Sequence, residues 1–295
     1  VAICGYHGWH DWYLSANLGD KETLAGHLLP GLDPSGVPKN LRGTVYPFSY
    51  NNFEELKQLV SSKDISVIKM EVLRNTQPHD GFLQKVRDLA NKHNIVLIFD
   101  ECTSGFRQSY GGIHKCFDVE PDIAIFGKAL GNGYAITAVI GRSEIMQAAQ
   151  STFISSTFWT ERIGPTAALK TIDVMKEINS WERITSIGKV IQKGWGELST
   201  KHNIPLELNG IPALASFNFK DENHSIFKTF LTQEMLKKGY LASTNVYACI
   251  DHTQELIEEY FYHLDSIFKQ ISQERSNISN LLEGPQAHTG FKRLN

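Results

Sequence analysis

The sequence has 295 residues, 41% of them hydrophobic and 21% charged, an ordinary globular composition that excludes a disordered chain and is long enough for one large domain plus a smaller one. Its 29 basic side chains face 32 acidic ones, for a formal net charge of -3, and no basic block stands out, so neither nucleic acid nor an anionic membrane is an expected partner. No apolar run approaches the roughly 20 residues needed to span a bilayer.

The chain opens on Val1-Ala2-Ile3-Cys4, which reads as a buried strand with no initiator Met or signal peptide before it, so an N-terminal part of the same domain is expected upstream. Further short apolar runs follow at 65–70, 95–99, 123–126 and 135–140. Continuous β-branched runs of this length suit strands buried on both faces. Between them, 53–60 places Phe53, Leu56, Leu59 and Val60 on one helical face, and 82–90 does the same with Phe82, Leu83, Val86, Leu89 and Ala90. Strand and helix alternating in this way imply an α/β fold with a mostly parallel sheet and helices packed on it. A long helical stretch spans 165–202, with a break expected near Ser180-Trp181. After Asn203-Ile204-Pro205 the character changes: 212–219 reads as a strand, 226–237 and 254–271 as amphipathic helices, and 276–295 has no clear period. The expected division is a large domain over 1–205 and a small C-terminal α+β domain with tail over 206–295. The four cysteines, Cys4, Cys102, Cys116 and Cys249, show no C-x-x-C spacing. Neither a disulfide framework nor a metal site is expected, and a reducing cytoplasm fits.

Ligands of open α/β sheets bind outside the carboxyl ends of the strands. Here the strand ends lead into Gly5-Tyr6-His7-Gly8, Glu71, Asp100-Glu101 and Gly127-Lys128, which would gather an aromatic ring, carboxylates and a lysine in one crevice. A desolvated lysine has a lowered pKa and a nucleophilic amine suited to Schiff-base chemistry. A carboxylate on a neighbouring strand end is a natural partner for a cofactor cation, and pyridoxal phosphate needs both groups. Blander alternatives stand beside this. Asp100-Glu101 after an apolar strand also suits the magnesium-holding strand of a P-loop nucleotidase, although no G-x-x-x-x-G-K-[ST] loop is present. A lone Lys128 is commonly a snorkelling surface residue. His7 and His10 are spaced H-x-x-H with no third ligand, and Gly131-Asn132-Gly133 reads as a turn.

Asp100-Glu101-Cys102-Thr103-Ser104-Gly105-Phe106-Arg107 resembles the D-E-x-x-[ST]-G-F-R signature of class III (ω-type) aminotransferases. Pro121-Asp122, followed by Phe126-Gly127-Lys128-Ala129-Leu130-Gly131-Asn132-Gly133-Tyr134, resembles that family's P-D…G-K block, and Tyr6-His7-Gly8 its Y-H-G turn. The match runs in register to about residue 270, nearest to glutamate semialdehyde aminomutase-like members. The resemblance implies the fold type I of pyridoxal-phosphate transferases, with helices on both sheet faces. It implies that Lys128 forms the Schiff base with pyridoxal 5'-phosphate and moves protons, and that Asp100 pairs with the pyridine nitrogen. Tyr6 would stack on the ring with His7 beside it, Cys102 would pack on the other face, and Asn75 would lie near the phenolic oxygen. Thr157 would bind the phosphate of a neighbouring subunit's cofactor, which implies a homodimer with shared sites. Glu71 and Arg162 would lie on the substrate side, Arg162 as a fork for a carboxylate. The implied activity is amino transfer from an amine to a carbonyl acceptor, with intramolecular aminomutase activity as the alternative and a catalytically silent truncated homologue as a remote one. Three features depart from the pattern. The family's phosphate-binding loop would lie upstream of Val1; Thr157-Phe158-Trp159-Thr160-Glu161-Arg162 replaces the aminomutase T-x-S-G-N-P; and Val72-Leu73 replaces Pro-Val after Glu71.

Overall fold

The computed structural model describes residues 1–27, 30–73 and 75–287. These divide into two compact units, one formed by 1–73 and 77–178, the other by 179–287 together with Asn75 and Thr76.

The first unit is built on a six-stranded sheet. Strand β1 (Ala2–Cys4) precedes the short helix α1 (Asp11–Leu14), and β2 (Tyr46–Pro47) precedes α2 (Phe53–Ser62). Then come β3 (Val67–Glu71), α3 (Phe82–Lys92), β4 (Val96–Asp100), β5 (Ile123–Phe126), β6 (Ala138–Gly141), α4 (Ser143–Met146) and α5 (Ile163–Ile178). The strand order is β2-β1-β3-β4-β5-β6. Every pair is parallel except β5 with β6, which is antiparallel. Helix α2 starts where the Asn52 side chain accepts the Glu55 N–H, satisfying one of the donors a helix start leaves open. Helix α3 buries all five residues of its expected face. Fully burying a side chain such as Val86 is worth roughly 2 kcal/mol.

The strands depart from the expected burial on both faces. Ile68 and Met70, Leu97 and Phe99, and Ala124 and Phe126 are buried. Their alternate neighbours Val67, Lys69, Val96, Ile98, Ile123 and Ile125 are half-buried. Side chains alternate between sheet faces, so one face is fully packed and the other only partly covered.

The second unit holds α6 (Ser180–His202), β7 (Leu206–Asn209), β8 (Leu214–Phe219), α7 (His224–Lys237), β9 (Asn245–Tyr247) and α8 (Gln254–Gln273). Its sheet is antiparallel, in the order β7-β8-β9. The helical break falls at Asn179, whose φ of 50° is left-handed. The units divide there rather than at the expected residue 205, because α6 gives Ile191, Trp195 and Leu198 to the second unit's core beside Phe217, Phe227 and Phe268.

Candidate active site

The parallel register sets the site. Glu71 lies level with Asp100, and Asp100 level with Ile125, three residues before Lys128. The carboxyl ends of β3, β4 and β5 therefore lie side by side, where a parallel sheet offers its ligand crevice.

Asp100 is buried at 8% exposure. Its Oδ2 lies 3.0 Å from His7 Nδ1 and 3.3 Å from Lys69 Nζ, while the Cys102 N–H donates to Oδ1 at 3.2 Å. Burial pushes the carboxyl pKa up, but the His7 hydrogen bond, the Lys69 charge and the Cys102 N–H together outweigh it and bring it down to about 2. A buried acid is thus kept ionised across the neutral range. His7 is buried too, and its Nε2 faces the Cys4 carbonyl oxygen at 3.2 Å. Its H-x-x-H companion goes elsewhere: the His10 ring stacks on Trp12.

Glu101, next in the chain, has no exposed surface. Its Oε1 accepts the His114 N–H at 3.0 Å and faces His114 Nδ1 at 2.8 Å, and Oε2 accepts the Ser104 hydroxyl. This brace fixes the turn that follows β4. Within that turn Cys102 is half-buried, and desolvation followed by the nearby Asp100 charge pushes its thiol up to about 11, so at neutral pH it is a packing group.

Lys128 follows β5 with a φ of +46°, a left-handed conformation strained for a side chain of this size. Its Nζ donates to Thr103 Oγ1 at 2.6 Å. The expected desolvation of this amine is not observed. Lys128 is exposed, because it opens onto a cavity of about 730 Å³ lined also by Tyr134, Thr137, Ser156, Phe158, Trp159 and Glu161. Gly131-Asn132-Gly133 forms the expected turn, closed by the Tyr134 N–H donating to Gly131 O at 3.0 Å. A Cβ at Gly131 would lie 2.1 Å from Tyr134 O, so no larger residue fits. Asp100 and Lys128 meet on the Cys102-Thr103 turn, the acid accepting from Cys102 and the amine donating to Thr103.

The Tyr6 N–H donates to Glu71 Oε2 at 3.1 Å, and its ring meets Trp9 and Tyr13 edge-on. Glu71 braces this turn closely: with φ at +102°, Gly5 approaches so near that a Cβ there would sit 2.5 Å from Glu71 Oε2. Thr157 is exposed, between the cavity-lining Ser156 and Phe158. Arg162 is exposed just before α5, and its carbonyl accepts the Thr166 N–H. Asn75 belongs to the second unit, where its carbonyl accepts the Gly210 N–H at 3.1 Å. Sequence reasoning missed Lys69, Thr103 and the Glu101–His114 brace. The available signal for Lys69 was an ammonium inside an apolar strand, two residues before Glu71 and hence on its face. No group of three or more His, Cys, Asp or Glu able to hold a metal ion occurs among the described residues.

The neighbouring strand ends of this parallel sheet thus offer an ionised acid and an amine on one turn. The class-III aminotransferase profile matches residues 44–267. The chain belongs to that family, whose cofactor is pyridoxal 5'-phosphate, and the P-loop nucleotidase alternative falls away. It is 30% identical over 292 residues to a 3-aminobutyryl-CoA aminotransferase of Cloacimonas acidaminovorans, covering 94% of this chain and 66% of that protein. It is 27% identical over 290 residues to a glutamate-1-semialdehyde 2,1-aminomutase of a Sulfurihydrogenibium species, covering 90% and 67%. The solved structure of an omega-transaminase from Sphaerobacter thermophilus superposes with a TM-score of 0.77 at 18% identity, over 92% of this chain and 68% of that one, a likeness of fold. The chain spans about two thirds of the length of these relatives. No helix among the described residues is long and apolar enough to cross a membrane.

Proposed function

We propose that this chain carries the core of a pyridoxal-phosphate-dependent aminotransferase that moves an amino group from an amine donor to a carbonyl acceptor. The observation that carries this reading is the pair on the Cys102-Thr103 turn: a buried acid with a pKa of about 2 and, one residue along, the hydrogen-bonded amine of Lys128. That donor set fits the cofactor, since a permanently ionised carboxylate suits a ring N–H and an exposed amine at a cavity suits an aldehyde. Pyridoxal phosphate supplies an aldehyde that condenses with amines and a protonated ring that accepts the electron pair released at the substrate carbon.

The chain's own residues do the rest. Lys128 Nζ anchors the cofactor and carries a proton to and from the substrate carbon. Asp100 holds the ring nitrogen protonated, with His7 fixing its orientation. Tyr6 and Cys102 would pack against the cofactor ring, and Asn75 would serve its phenolic oxygen. Glu71 and Arg162 serve the substrate side, and Thr157 contributes to the phosphate site of a second copy, so the working enzyme is a homodimer. The chain works in the cytoplasm, in keeping with four cysteines that are all free thiols.

A second reading, intramolecular amino transfer, draws on the 27% identity to an aminomutase. Full-length protein loaded with pyridoxal phosphate and offered a panel of amines, with and without a keto acid, separates the two. Transfer that needs both substrates supports the aminotransferase. Isomerisation of one substrate alone supports the aminomutase, and neither reaction with any donor contradicts both.

A further inference from the structure

Lys69 is the residue around Asp100 that no expectation covered. It sits in the middle of β3 between the buried Ile68 and Met70, with only 15% of its side chain exposed. The register pairs it with Ile98, two residues before Asp100. Its side chain therefore lies on the same sheet face as Asp100, diagonally across the ladder, within reach of a long side chain. Its ammonium lies 3.3 Å from Asp100 Oδ2 and 5.4 Å from the centroid of the Trp12 ring. A methionine would fill this space with no charge to desolvate, and an ion pair replaced as a whole by apolar groups often loses no stability. The ammonium therefore points to a role for the charge itself.

The other groups facing Asp100 leave that role open. His7 shares Oδ2 and the Cys102 N–H takes Oδ1. Glu71, level with Asp100 on β3, accepts the Tyr6 N–H, and Lys128 on the β5 side donates to Thr103. Lys69 is the ammonium in contact with the acid.

We propose that Lys69 is a positioning residue that pins Oδ2 of Asp100 and draws off part of its negative charge, so that a cofactor ring nitrogen facing this acid meets a partly neutralised partner. This rests on the cofactor reading above. The neighbouring cation sets how strongly that carboxylate holds the ring proton. An opposite charge at this range moves an acid's midpoint by about 1 unit or more, and the ring nitrogen feels the same change through Asp100.

The test uses full-length protein, wild type and the variants Lys69→Met and Lys69→Arg, loaded with pyridoxal phosphate labelled with 15N in the ring. The nitrogen chemical shift, followed against pH, reads ring protonation directly. The expected result is a midpoint about 1 unit higher in Lys69→Met, restored toward wild type in Lys69→Arg, whose melting temperature stays near the wild-type value. An unchanged midpoint in Lys69→Met, or a shift that Lys69→Arg does not reverse, overturns the proposal while leaving the cofactor reading intact. Protein that retains no labelled cofactor overturns both, which sets that failure apart from the first.

Discussion

Replacing Asp100 by asparagine removes a charge that three groups hold in place, and the structure sets the size of the loss. The folded carboxyl titrates at about 2 against an ordinary 3.8. At 1.36 kcal/mol per unit, that difference corresponds to about 2 kcal/mol of folding stability. Because the folded pKa lies below the unfolded one, the contribution is fully present above the ordinary value and is lost as pH falls through about 2. Burial opposes the charged form, so the stabilisation comes from the His7 hydrogen bond, the Lys69 charge and the Cys102 N–H acting together. A neutral amide at this position would leave the Lys69 ammonium without its anion, adding to the loss. Urea unfolding of wild type and Asp100→Asn, run at pH 7, 5 and 3, reads this directly. The expected deficit of the variant is about 2 to 3 kcal/mol at pH 7, falling to about half at pH 3. A deficit that stays constant across this range, or none at pH 7, would refute the electrostatic account of the site.

Glu101→Leu empties the brace on His114 and Ser104. Breaking such a buried pair should lower stability by about 3 to 5 kcal/mol in the same unfolding assay, with Glu101→Gln losing less because its amide oxygen still accepts from His114. Alkylation by iodoacetamide at pH 8, mapped by mass spectrometry, should label the exposed Cys116 and Cys249 well before Cys102 or Cys4. Burial, with nearby carboxylates, pushes the Cys102 thiol up to about 11 and the Cys4 thiol up to about 12; labelling of Cys102 ahead of the exposed pair would contradict the protonated thiol described here.

Much of the first unit was legible in the chain because buried strands announce themselves as apolar runs. The runs at 65–70 and 95–99 shift by one or two residues to become β3 and β4, and 123–126 is β5 unchanged. Strands such as β2, β7 and β9 are too short and too mixed in polarity to form the continuous apolar run that marks β5. The helical break near residue 180 was legible, but the allegiance of α6 was not: its pattern shows that it buries one face, and only tertiary packing says against what. In the site, strand-end position alone brought Asp100 and Lys128 together, since neighbouring parallel strands end side by side. Lys69 escaped because its significance depends on the diagonal neighbour across the ladder, and β3 by itself does not name its partner strand. The expectation of a buried Lys128 failed for a related reason. Strand burial predicts the surroundings of the strand, not of the residue that follows it into a cavity.

The proposed function makes Lys128 the cofactor's covalent anchor. Incubating full-length protein with pyridoxal phosphate, reducing with borohydride and mapping the modified peptide by mass spectrometry tests it most directly. The expected product is a phosphopyridoxyl group on Lys128, absent from Lys128→Ala and present in Asp100→Asn. A label spread over surface lysines such as Lys57 and Lys193, with Lys128 unmodified, would contradict it.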